Sequence, residues 1–132
     1  METKKIFNVI MDCSGSMNHE QSIKFIEKLL EDDKELHLVL VDTEIKGILK
    51  IASRDDLKRF EKEFYKGGGT MLQPAIEYVK TFLDEYDTYI FTDGYTDALD
   101  FTNINGKVTI FYTGAQAQIQ HSNGLLEQLL YI

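Results

Sequence analysis

One cysteine and one proline stand among 132 residues, and no segment is basic or apolar for long. With Cys13 alone, an internal disulfide is excluded, in keeping with a reducing compartment. Pro74 is the single proline, and neither a repeat, a linker nor a low-complexity tract interrupts the chain. No apolar run approaches the roughly 18 residues of a bilayer span. The apolar stretch behind the N-terminal lysines is too short for a secretion signal and ends at Asp12. A cytoplasmic protein with no membrane contact is the simplest reading. Positive charge is also in deficit: 14 Lys and Arg against 22 Asp and Glu leave a net charge of −8. The basic residues are scattered among acids, with no basic patch to be seen. Such a chain repels phosphate backbones, so nucleic acid is not an expected partner.

What is present suits one domain over residues 1–132, with 43% apolar residues to build an ordinary core. Two kinds of segment alternate. Residues 5–11, 36–41, 44–51, 87–92 and 107–112 are short, β-rich and apolar, and read as strands. Residues 18–32, 54–63, 73–85 and 122–130 carry apolar residues at helical spacing. Ile23, Ile26 and Leu30 mark the inner face of the first helix. Ile76, Val79 and Phe82 or Leu83 mark that of the third, whose first turn holds Pro74. The third strand follows the second too closely for a parallel crossover, so the two should be antiparallel, with Gly47 at a bulge. The pattern predicts an α/β fold of Rossmann-like type. It has three layers, a mostly parallel sheet in the order 3-2-1-4-5, one antiparallel edge strand and helices on both faces.

In such sheets ligands bind beyond the carboxyl ends of the strands, where the strand order diverges. The first strand runs into Asp12-Cys13-Ser14-Gly15-Ser16, and the fourth ends at Asp93-Gly94. The loop Gly67-Gly68-Gly69-Thr70 leads into the helix before the fourth strand. Asp12, Ser14, Ser16, Thr70 and Asp93 are thereby expected at one edge. The set is all oxygen, without His or Cys, and so favours Mg²⁺ or Mn²⁺ over zinc. Gly15 is expected to let the loop turn without a Cβ clash. The positive end of the following helix would help hold carboxylates there. Asp42, after the second strand, reads as a turn residue, with a supporting role beside a metal as the alternative. Tyr95 is a candidate for the rim of the site, and His19 and His121 read as surface residues.

Together DCSGSM, GGGT and FTDG resemble the three motifs of the metal-ion-dependent adhesion site (MIDAS) of von Willebrand factor A domains. LHLVLVDT and KGGGTMLQPAIEYV are most similar to a bacterial and phage subfamily that often accompanies a helical, metallopeptidase-like region. The resemblance implies that Ser14 and Ser16 ligate the metal through hydroxyls. Thr70 would ligate directly or through water, and Asp12 and Asp93 would act mainly through water. It further implies a non-enzymatic protein-interaction module. A partner's Asp or Glu would complete the metal's coordination, since neutral hydroxyls neutralise a cation poorly. Relatives work beside AAA+ ATPases of the MoxR type, so such an ATPase or a helical metallopeptidase-like subunit is the implied partner.

Two rival readings remain. A metal-dependent phosphoester hydrolase needs a base beside the metal, and only Asp12, Asp93 and Asp42 could serve. A structural subunit with a vestigial site needs no metal affinity at all. Cysteine phosphatase chemistry is excluded, because His19 stands where its anion-binding arginine is required. Cys13 reads as a small buried residue.

Overall fold

The computed structural model describes residues 5–15, 17, 19–31, 34–63, 69–93, 97–102, 104–113 and 125–128. In chain order they form β1 (Lys5–Asp12), α1 (His19–Glu31), β2 (Lys34–Val41), β3 (Ile45–Ile51), α2 (Arg54–Glu63), α3 (Gln73–Phe82), β4 (Asp87–Thr92), β5 (Val108–Tyr112) and β6 (Leu125–Gln128). The sheet order is β3-β2-β1-β4-β5-β6. β3 pairs antiparallel with β2, and every other pair is parallel. The expected order 3-2-1-4-5 is therefore present and is extended by one strand.

Strict alternation along β1 sorts its side chains onto two faces. Phe7, Val9 and Met11 join a cluster with Phe25 and Ile26 of α1 and Leu57 of α2. Ile10 joins a second cluster with Ala75, Ile76 and Val79 of α3, and with Leu99 and Phe101 of the β4–β5 connection. Helices thus cover both faces. On the first face Phe25 stacks on Phe91 of β4, with ring centroids 4.6 Å apart. Such a pair adds roughly 1 kcal/mol to the area it buries.

Two expectations need correction, and a third, the bulge in β3, is met. The segment expected as a final helix, 122–130, contains β6, which pairs in parallel with β5 from Thr109↔Leu125 to Tyr112↔Gln128. Leucines at 125, 126, 129 and 130 satisfy one helix face and a short buried strand equally well, so periodicity could not arbitrate. The backbone groups along β5's outer edge decide for the strand, because they need partners. Helix α3 ends at Phe82 rather than residue 85. Leu83 takes φ −130°, ψ 23°, its N–H still reaching the Val79 carbonyl. That turn sends Leu83 into the second cluster and leaves Phe82 66% exposed. The side-chain amide of Asn8, buried in β1, donates to the freed Leu83 carbonyl at 2.8 Å. Finally, the β2–β3 register slips between Leu40↔Gly47 and Val41↔Ile45. The extra residue is Lys46, so Gly47 stands at the bulge as expected.

Gly106, just before β5, is required by close approach. A Cβ there would lie 2.4 Å from the Tyr86 carbonyl oxygen. Overpacking of this kind costs about 1–3 kcal/mol. Stiffening the unfolded chain returns at most about 1 kcal/mol. Gly106→Ala is therefore expected to lower stability by about 1 kcal/mol, read as a lower melting temperature. An unchanged melt would mean that the Tyr86 turn yields freely.

Candidate metal centre at the carboxyl edge of the sheet

β1 lies between β2 and β4, and the connections leaving it and entering β4 run over opposite faces of the sheet. This is the switch point at which α/β sheets bind ligands. Asp12, the last residue of β1, is wholly buried there. Its Oδ1 accepts the Ser14 backbone N–H at 2.9 Å, and its Oδ2 accepts the Thr92 hydroxyl at 2.7 Å. The Ser14 hydroxyl also bonds to this carboxylate. The aspartate therefore bends the chain behind it and pulls the serine hydroxyl to its side, as Asx turns do. Cys13 N–H pairs with the Val41 carbonyl at 2.7 Å, and Met17 N–H closes the turn onto the Ser14 carbonyl at 3.1 Å.

Asp93 follows the last residue of β4 and is 9% exposed. It is close enough to Asp12 for repulsion to register. Burial is the main cause that pushes the Asp12 carboxyl above its usual value, and the Asp93 charge adds to it. Hydrogen bonds from Ser14 and Thr92 pull the other way. Two buried carboxylates and a serine hydroxyl thus meet where β1 and β4 end.

Thr70 is half-buried, and its loop is tied down immediately after it. Met71 N–H donates to the Asp42 carbonyl at 2.7 Å. Leu72 and Gln73 N–H donate to the two carboxylate oxygens of Asp97, at 2.8 and 3.2 Å. The Gln73 side chain clasps the backbone of Asp100, donating to its carbonyl at 3.0 Å and accepting from its N–H at 2.8 Å. The Thr70 loop is thus held to the end of β2 on one side and to the chain following Asp93 on the other.

A family model for the VWA-like domain (DUF2201) matches residues 7–120. The chain belongs to this VWA-like family. An uncharacterized protein of Thermotoga maritima is 37% identical over 92 residues, 67% of this chain, and the chain spans only 22% of that relative's length. Among solved structures, the von Willebrand factor type A protein from Catenulispora acidiphila superimposes with a TM-score of 0.58 at 12% identity. That match covers 96% of this chain and 39% of the other. The adhesive tip pilin GBS104 from Group B Streptococcus agalactiae reaches 0.49 at 15% identity, over 73% of this chain and 47% of its own. No helix among the described residues is long and apolar enough to cross a membrane.

Within this VWA-like domain, Asp12, Ser14 and Asp93 come together and Thr70 is held at the same edge, whereas Ser16 lies outside the described residues. So do Tyr95 and His121, and of His19 only the backbone is described. Among the described residues no three His, Cys, Asp or Glu side chains gather as a metal site. A cation here would rest on hydroxyls backed by two carboxylates, a donor set that suits Mg²⁺ or Mn²⁺. Asp12 fits a supporting part, because both its oxygens already hold hydrogen bonds.

Asp42 behaves as a turn residue. Its Oδ1 accepts the N–H groups of Thr43 and Glu44, and Lys46 Nζ stands 3.9 Å from its Oδ2. Cys13 is fully buried, and burial, with Asp12 beside it, pushes its thiol up to about 12, so it is no nucleophile. The expectation for Gly15 is overturned. The residue is exposed, a Cβ on it would meet nothing within 4 Å, and its backbone is not left-handed. The turn does not demand glycine, and the space beside it is open to solvent.

Sequence reasoning missed Thr92 and Asp97. Thr92 could have been found, since it immediately precedes Asp93 at a strand end. For Asp97 the signal was an absence: α3 starts at Leu72-Gln73-Pro74 with no side-chain cap of its own.

Proposed function

We propose that this VWA-like domain is a non-enzymatic interaction module that holds Mg²⁺ or Mn²⁺ at the β1–β4 edge and presents it to an acidic side chain of a protein partner. The observation that carries this reading is the buried Asp12–Asp93 pair with the Ser14 hydroxyl drawn against it. Two buried carboxylates in repulsion are costly unless positive charge arrives. When bound, the ion would supply a positive centre with a position left for an anionic ligand.

Ser14, Ser16 and Thr70 would hold it through hydroxyls. Asp12 keeps Ser14 in place through the two bonds they share, and Thr92 fixes the Asp12 carboxylate from β4. Asp93 supplies the second negative charge. At the rim, Gly15 offers no side chain to obstruct an approaching partner. Met71, 48% exposed beside Thr70, offers an apolar contact. The resemblance points to an AAA+ ATPase of the MoxR type, or to a helical metallopeptidase-like subunit, as the partner. A hydrolase has less behind it: Asp42 is occupied by its own turn and Asp12 by Ser14 and Thr92, which leaves Asp93 as the one candidate base.

The test is Mn²⁺ and Mg²⁺ titration by calorimetry on the wild type and Asp93→Ala, with and without millimolar acetate in place of the partner's carboxylate. One-site binding that strengthens with acetate and is lost in Asp93→Ala is expected. Absence of binding by the wild type in both conditions would sink the proposal. Metal-dependent turnover of phosphoesters, lost in Asp93→Ala, would replace it with the hydrolase.

A further inference from the structure

The scattered lysines of the sequence do not stay scattered in the fold. Lys5 and Lys34 are register partners at the start of β1 and β2. Lys107 immediately precedes β5, and its N–H donates to the Asp87 carboxylate at 3.0 Å. These positions gather at the amino-terminal end of the sheet, opposite the candidate metal centre, on the face that carries α1. Between them the rings of Phe7 and Tyr89 stack at 4.7 Å and 16°. Lys5 Nζ lies 5.1 Å over the Phe7 ring. Lys34 Nζ lies 4.9 Å over Phe7 and 5.4 Å over Tyr89. Lys5, Phe7, Asp87, Tyr89, Lys107 and Thr109 line a cavity of about 190 Å³.

Cations elsewhere divide into two kinds: among the described residues, Lys24, Lys28 and Lys58 on the helices have no ion pair, whereas five others do. Lys46, Lys50, Arg54, Arg59 and Lys80 each face a carboxylate. Among the described residues, Lys5 and Lys107 have no carboxylate in ion-pair reach of their ammonium groups, although the chain carries an excess of acids. The one acid in the cavity wall, Asp87, spends an oxygen on the backbone of Lys107. Aromatic floor and cationic rim lie together on a strip of sheet beside α1.

We propose that this strip is a second docking surface, for an acidic peptide segment of a protein partner that places one aromatic or large aliphatic side chain in the cavity. Charge complementarity argues for the acids, whose carboxylates would meet Lys5 and Lys107. The partly exposed Tyr89 ring, backed by the buried Phe7 ring, argues for the apolar side chain, which gains burial and a ring contact there. A nucleic acid fits less well, because its long run of phosphates would also meet the acidic remainder of the surface. The surface is independent of the metal centre, being at the other end of the strands.

The experiment is an amide NMR titration of the whole chain with the acetylated peptide Glu-Glu-Phe-Glu-Glu, with Gln-Gln-Phe-Gln-Gln as control, both in EDTA. Resonances of Phe7, Tyr89 and Thr109 should move with the acidic peptide and move far less with the control. Affinity should fall about tenfold in the Lys5→Glu/Lys107→Glu pair and, by less, in Lys107→Gln, and should weaken with salt. Both side chains are exposed, so the Lys107→Gln melt should match the wild type, and the pair should lose only what the Lys5 contact with the Phe7 ring contributes. Equal binding of the two peptides, or undiminished binding by the charge-reversed pair, overturns the proposal. Tighter binding of an oligothymidylate at the same resonances overturns it in favour of single-stranded nucleic acid.

Discussion

Asp12→Asn is expected to melt a few degrees above the wild type at neutral pH without metal, and to bind Mn²⁺ about 10- to 100-fold more weakly, the usual consequence of losing a group that orients a metal ligand. Both effects follow from one buried carboxylate. Asp12 is fully enclosed, and its ionised form is disfavoured first by burial and then by Asp93. An acid whose folded value is raised contributes stability that is complete below its unfolded value and is lost as pH rises through the folded one. The wild type without metal should therefore lose stability over that window, and the asparagine variant should not. Above about pH 4, where the unfolded carboxyl ionises, the gap between their melting temperatures should widen as pH climbs towards the raised folded value. Asparagine keeps an acceptor for Ser14 N–H, and the Thr92 hydroxyl can rotate to accept from the new amide, so the neutral side chain fits. Adding Mn²⁺ should reverse the ranking by stabilising the wild type alone. A variant that melts lower at every pH would show that the Ser14 and Thr92 bonds outweigh the desolvation. A variant that binds Mn²⁺ as tightly as the wild type would remove Asp12 from the site.

Much of this was legible in the chain, and for identifiable reasons. β4 falls on 87–92 as expected, since an alternating run bounded by Asp87 and Asp93-Gly94 leaves little choice of frame. The antiparallel β3 followed from a connection too short for a crossover. Asp12, Ser14 and Asp93 could be gathered on paper because strand ends of a parallel sheet share an edge. What stayed hidden depends on pairing between distant segments. Leu125 and Leu126 fit a helix until β5 offers an edge to pair with. Lys5, Lys34 and Lys107 look dispersed until three strands bring them around Phe7 and Tyr89. Gly15 suggested a conformational reason, yet in the fold its backbone is not left-handed and the space beside it is empty.

Asp97→Ala is expected to cost about 2 kcal/mol and to weaken metal binding about tenfold, as lost supporting groups do. The helix it caps begins without local help, since Leu72 at the cap position provides no side-chain acceptor. Asp97 reaches across from the chain beyond β4 and takes the N–H groups of both Leu72 and Gln73. Its negative charge also faces the positive end of the α3 dipole. Without it those donors turn to water, and the start of α3 is held only by Gln73 against Asp100 and by Met71 against Asp42. Thr70 stands two residues before Leu72, so loosening there moves its hydroxyl relative to Asp12 and Asp93. Asp97→Asn separates charge from geometry, because it keeps one acceptor oxygen and loses the charge; its stability should fall between the other two. Chemical denaturation and Mn²⁺ calorimetry on the three proteins read both effects. If Asp97→Ala loses stability while its Mn²⁺ affinity holds, the cap is purely structural and Thr70 takes no part in holding the ion. If the two fall together, the loop before α3 and the end of β4 act as one support, with Asp97 as the link between them.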